Sequence, residues 1–99
     1  MSYLESLARE IRREAGTNAG GADEDLFLVY AVLLLAKGRH VTAEDVHNAW
    51  VAWKEMHGAT HESMVPFADL DAQTQAEDSP FVAAIRRVAS GLNLGPLQE

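Results

Sequence analysis

Leu26-Phe27-Leu28-Val29-Tyr30-Ala31-Val32-Leu33-Leu34-Leu35-Ala36 is an unbroken apolar run of eleven residues. Wound as a helix it has no polar face, so other segments must surround it. A bilayer span needs roughly twenty apolar residues. The run falls well short of that and predicts the centre of a soluble helical core. Its flanks carry helix signals. Asp23 is placed to cap the N-terminus, Glu24 and Asp25 suit the positive end of the helix dipole, and Lys37 suits the negative end. Gly38 supplies a left-handed stop.

On the N-terminal side, Ser2 and Glu5 have capping-box spacing, and Tyr3, Leu4, Leu7, Ala8 and Ile11 recur at helical spacing. The stretch Ala15-Gly16-Thr17-Asn18-Ala19-Gly20-Gly21 breaks the chain and reads as a linker that leaves residues 1–15 as a separately docked helix. On the C-terminal side, Thr42 caps a third helix with Glu44 and Asp45 in its first turn. Val46, Ala49, Trp50 and Trp53 share one face, with Met56 near the end of the stripe and His47, Lys54 and Glu55 towards the sides. Gly58 stops this helix.

From Ala59 to Ser79 the signals are mixed. Pro66 limits helix continuity. Phe67-Ala68-Asp69-Leu70 reads as a helical turn anchored by Phe67 and Leu70, and Asp71 to Glu77 as weakly helical. Asp78-Ser79-Pro80 opens the last helix, with Asp78 as cap and Pro80 in the first turn, where proline is tolerated. Phe81, Val82, Ile85, Val88 and Ala89 form its buried stripe, Arg86 and Arg87 lie opposite, and residues 92–99 form an irregular tail. No segment alternates as a strand does. The expectation is an all-α single domain over residues 1–99: a small bundle of four main helices with a long irregular connection before the last.

A chain of 99 residues suits one domain able to bury a core. The absence of cysteine excludes disulfides, thiolate chemistry and Cys-based zinc sites. The start Met-Ser-Tyr-Leu-Glu lacks the basic and apolar run of a signal peptide, so a cytoplasmic location is expected. The net charge is −7, and Glu62, Asp69, Asp71, Glu77 and Asp78 form an acidic run without a lysine or arginine. Nucleic-acid binders need a basic footprint, so neither that partner nor a membrane is expected. An acidic surface attracts a basic partner, mimics DNA or simply keeps the chain soluble.

His57 and His61 stand four apart in H-G-A-T-H, the spacing of a helical H-E-x-x-H zinc site. The glutamate after the first histidine is missing, and Gly58 breaks the helix that would align the pair. A loop site of His57, His61 and Glu62 is the metal-dependent hydrolase reading, set against histidines that bond a helix end or loop carbonyl. His47 lies ten residues before His57, about 15 Å along a helix, too far to share an ion. Trp50 and Trp53 offer an aromatic ligand wall or core packing. Glycines 16, 20 and 21 precede an acidic first turn, which repels phosphate. No nucleophile motif is present, so no catalytic residue, no metal and no cofactor is assigned.

Val46–Trp53 (V-H-N-A-W-V-A-W), His61–Leu70 (H-E-S-M-V-P-F-A-D-L) and Glu77–Ala89 (E-D-S-P-F-V-A-A-I-R-R-V-A) resemble a pattern in uncharacterised actinobacterial and actinobacteriophage small proteins. They also resemble, more distantly, the ryanodine-receptor repeat domain. The pattern residues are His47, Trp50, Pro66, Phe67, Leu70, Asp78 and Phe81. The resemblance covers about half the chain and departs from it at the Leu26–Ala36 helix. It implies an all-helical fold, no catalytic activity, and a small-ligand or nucleotide role.

The leading expectation is a non-enzymatic protein-interaction module. It would self-associate as a homodimer, or bind a host protein, through the apolar second helix (Phe27, Tyr30 and Leu34) or the acidic face. The alternative is a small-ligand or nucleotide-binding module with His47, Trp50, His57 and His61 near its pocket.

Overall fold

The computed structural model describes residues 2–19 and 24–92, the side chains of residues 18 and 19 excepted. Asp23, expected to cap the second helix, and the tail beyond Leu92 lie outside the described residues. The described chain is all-α. Its helices are α1 (Tyr3–Ala15), α2 (Glu24–Lys37), α3 (Ala43–Met56), the short α4 (Ala72–Ala76) and α5 (Ser79–Gly91). No strand occurs among the described residues.

The local signals act as their chemistry dictates at several ends. At α1 the Ser2 hydroxyl accepts from the Glu5 amide at 3.1 Å, and the Glu5 carboxylate accepts from the Ser2 amide at 3.0 Å. Thr42 and Asp45 form the same reciprocal box at α3. Gly38 and Gly58 both take positive φ, 57° and 67°, a backbone that side chains with a Cβ rarely adopt. After Gly58 the Ala59 amide folds back onto the Lys54 carbonyl at 3.1 Å, so α3 ends there and the chain turns away.

Three of the other helices flank α2. It packs against α1, α3 and α5, and α1 also packs against α5. Phe27, Tyr30, Ala31 and Leu34 are buried on α2, and Ile11, Val41, Val46, Ala84, Ile85 and Ala89 close over them. Phe27 and Tyr30 meet edge to face at 5.7 Å, and both rings lie near Phe81 of α5. Polar ties fix the outer seams. Arg86 Nε donates to the Val41 carbonyl at 2.8 Å, Arg87 pairs with Glu14 at 3.0 Å, and Lys37 with Asp45 at 3.5 Å.

Several expectations are corrected. Residues 3–15 are not docked apart from the rest: Ala8, Ile11 and Ala15 belong to the common core. Phe27, Tyr30 and Leu34 are only 0–2% exposed, so they cannot form an interface to another molecule. Their faces of α2 are the ones α1, α3 and α5 cover. Tyr3 and Met56, expected on apolar stripes, are exposed at the ends of α1 and α3. His47, expected on the side of α3, is buried. The chain between α3 and α4 covers it.

Candidate functional site

That cover begins at the proline segment. His47 Nε2 donates to the Val65 carbonyl at 2.6 Å, which fixes the proton on that nitrogen in the neutral ring. Phe67, in the turn Phe67–Asp69, lies 6.0 Å from the His47 ring, and Trp50 stacks on the ring from the next turn of α3 at 5.9 Å. Gln75 of α4 ties the turn down by donating to the carbonyls of Phe67 and Leu70 at 2.9 and 3.2 Å. These contacts hold the connection against α3.

A cleft of about 280 Å³ opens beside it, between α2, α3, the start of α5 and His61, Ser63 and Leu70 of the connection. Tyr30, His47, Trp50, His61, Leu70 and Phe81 supply its rings and apolar wall, and Thr74, Glu77 and Asp78 its polar edge. Tyr30 and His47 are 2% exposed. The Tyr30 hydroxyl and His47 Nδ1 take part in no hydrogen bond among the described residues. No fully buried side-chain oxygen or nitrogen there lacks a partner. Both atoms are therefore reached from the cleft. His61 lies exposed at the rim, edge-on to Trp50 at 5.4 Å, and its Nδ1 accepts from the Ser63 amide.

Asp78 is the unusual member. It stands at the N-terminus of α5 but makes no capping hydrogen bond, which corrects the expected cap. The reason lies in the backbone. A capping residue needs an extended conformation, whereas Asp78 has φ −82° and ψ −12° because the chain arrives already helical from α4. Asp71 does the capping one element earlier, accepting from the Thr74 amide at 2.7 Å. Asp78 is left half-buried on the cleft edge. Burial pushes its carboxyl up to about 6, with nearby His47 pulling the other way and Glu77 adding repulsion. Burial, and then the charge of Asp78, hold the Tyr30 phenol well above its usual range.

Of the four residues expected near a pocket, His47, Trp50 and His61 meet in this cleft, and His57 does not. His57 caps the other side of α3. Its Nδ1 faces the Trp53 carbonyl at 2.8 Å and its Nε2 the Asp25 carboxylate at 2.9 Å, while the Trp53 indole donates to the same carboxylate at 3.0 Å. Both ring nitrogens of His57 thus face acceptors, which only the imidazolium satisfies. His57, His61 and Glu62 do not form a metal site, and no group of three or more His, Asp or Glu among the described residues is arranged to hold an ion. Tyr30, Thr74 and Asp78 were not legible as cleft residues. For Thr74 and Asp78 a local signal is Asp71 three before Thr74, a cap that carries the helical backbone on to Asp78.

Two other hollows are less suited to a ligand. One of about 130 Å³ between α1 and α2 is crossed by Arg12, whose guanidinium lies 5.8 Å over Phe27. The other is a shallow trough between α3 and Met64–Pro66. No helix among the described residues is long and apolar enough to cross a membrane. No curated protein and no solved structure matches the chain. A family model described as "Domain of unknown function (DUF7701)" matches residues 2–90, nearly the whole chain, and the protein belongs to that family.

Proposed function

We propose that this protein is a non-enzymatic small-ligand-binding module and that the cleft bounded by α2, α3, the start of α5 and the connection at His61, Ser63 and Leu70 is its binding site. The observation that carries the reading is the convergence of three polar groups without hydrogen-bond partners among the described residues, the Tyr30 hydroxyl, His47 Nδ1 and the Asp78 carboxyl, at an aromatic-walled cleft. Concave, mostly apolar sites with a few convergent polar groups and a perturbed carboxyl are the usual form of ligand sites. The resemblance to the ryanodine-receptor repeat pattern supports it too. His47, Trp50, Leu70, Asp78 and Phe81 of that pattern line the cleft, and Phe67 braces His47.

The test is a nuclear magnetic resonance titration of the labelled protein with benzyl-sized fragments carrying cationic, neutral or anionic heads. The Trp50 and Thr74 signals should move. The Trp53 indole, bonded to Asp25 on the other side of α3, serves as an internal control and should not. Shifts confined to other surfaces would remove the cleft as the site.

A second reading keeps the protein-interaction role but moves it to the outer face of α2. Val32 and Leu35 are 54% and 46% exposed there, which favours a contact surface distinct from Phe27, Tyr30 and Leu34. Substituting both by lysine and measuring mass by light scattering tests it. A partner contact on this face would be lost while the fold is kept.

A further inference from the structure

The cleft's charge narrows its ligand. Glu77 and Asp78 are acidic and no lysine or arginine lines it. The Asp78 carboxyl has neither an ion pair nor a hydrogen bond among the described residues, and a half-buried carboxylate left so is costly until a donor or cation reaches it. Tyr30, itself almost wholly buried, presents an unpartnered hydroxyl to the same space. His47 Nδ1 adds a second acceptor, because Nε2 already carries the proton given to Val65. The walls are rings whose faces attract positive charge. Lys54 lies 5.6 Å from the Trp50 ring centre and is not a lining residue.

Resting on the ligand-binding reading of this cleft, we propose that it takes a small organic cation. The ligand would have an ammonium or amidinium head held by Asp78 and an apolar or aromatic body against Tyr30, Trp50 and Phe81. Its size is bounded by a cleft of about 280 Å³, at the low end of the roughly 300–1,000 Å³ of ligand pockets. Phosphates and carboxylates are repelled by the same two acidic residues, so a nucleotide does not fit.

Binding of such a ligand depends on pH. Asp78 faces Tyr30 from α2, His47 from α3, His61 from the connection and its neighbour Glu77. Below about pH 6 the carboxyl takes up its proton. Acid therefore weakens cation binding.

The experiment uses three near-isosteric probes, benzylammonium, benzyl alcohol and benzoate, titrated into the full chain while the Trp50 indole is followed. At about pH 7.5 benzylammonium should bind about tenfold more tightly than benzyl alcohol, and benzoate most weakly. The preference should shrink to about threefold or less near pH 5 and in Asp78→Asn at either pH. Asp78→Asn removes no capping bond, and an unchanged Trp53 indole signal verifies its fold; should it unfold, the two pH arms of the wild type still decide. Equal binding of all three probes, a preference for benzoate, or an ammonium preference that survives both acid and Asp78→Asn overturns the cation assignment but leaves the cleft as a site. No effect of any probe on Trp50 overturns both.

Discussion

Asp78 carries a cost to the fold. Its folded pKa of about 6 stands above the ordinary 3.8, chiefly because burial disfavours the charge. Between those values the folded protein holds a proton that the unfolded chain has released. Stability therefore rises as pH falls from about 6 towards 4, and above 6 the ionised group destabilises the fold by its full amount. Asp78→Asn should stabilise the protein at neutral pH by about 1–2 kcal/mol, after allowance for solvent screening, and flatten the pH profile of stability across that window. Urea unfolding at several pH values measures both. A variant no more stable than wild type at neutral pH would mean that the carboxyl is solvated after all. A group that weakens the fold and faces a cleft fits a role in binding rather than in packing. At this scale the sequence was legible only in part. His47, Trp50 and His61 drew notice as histidine and tryptophan chemistry, whereas Asp78 read as a cap, since Asp-Ser-Pro is a helix-start signal and the helical backbone inherited from α4 is not visible in the letters.

The capping box at Ser2, the cap at Thr42 and the glycine stops after α2 and α3 were readable because each depends on neighbours within a few residues. The Asp25–Trp53–His57 cluster was not, since its hydrogen bonds span 28 and 32 residues. This cluster joins the first turn of α2 to the last turn of α3. Burial works against the Asp25 charge, but the hydrogen bonds from Trp53 and His57 and the charge of His57 outweigh it and hold the carboxyl below its usual range. Its contribution is present above the ordinary carboxylate range and is lost as pH falls through the depressed value. Asp25→Ala should lower the melting temperature at neutral pH more than His57→Ala, because it strips the partner from both the indole and the imidazole. The difference should vanish in strong acid. Thermal unfolding followed by circular dichroism measures it, and equal effects at neutral pH would show that the Trp53–Asp25 bond adds nothing beyond the His57 pair. The histidine spacing that invites a metal reading is thus split. Gly58 turns the chain so that His57 closes α3 on one side while His61 faces the cleft on the other.

For the molecule as a whole, the apolar run 26–36 demanded enclosure, and the sequence left open whether this chain or a second copy supplies it. The structure answers through particular residues. Ile11 of α1 and Ile85 of α5 are fully buried against the faces of α2 that bear Phe27, Tyr30 and Leu34, so closure occurs within one chain. Val32 and Leu35 remain outside. Two substitutions on the same helix should then differ sharply. Leu34→Ala removes a fully enclosed side chain and should cost about 3 kcal/mol, within the range of core leucine truncations. Val32→Ala on the exposed face should change stability by no more than about 0.5 kcal/mol. Because the core is completed in cis, the wild-type unfolding midpoint should not depend on protein concentration, since only a fold that needs a partner is stabilised by mass action. Urea unfolding of both variants and of the wild type, over a hundredfold range of concentration, checks the argument. A midpoint that climbs with concentration, together with a large loss at Val32, would mean that a second copy covers the outer face of α2 and that the helix is only half enclosed by its own chain.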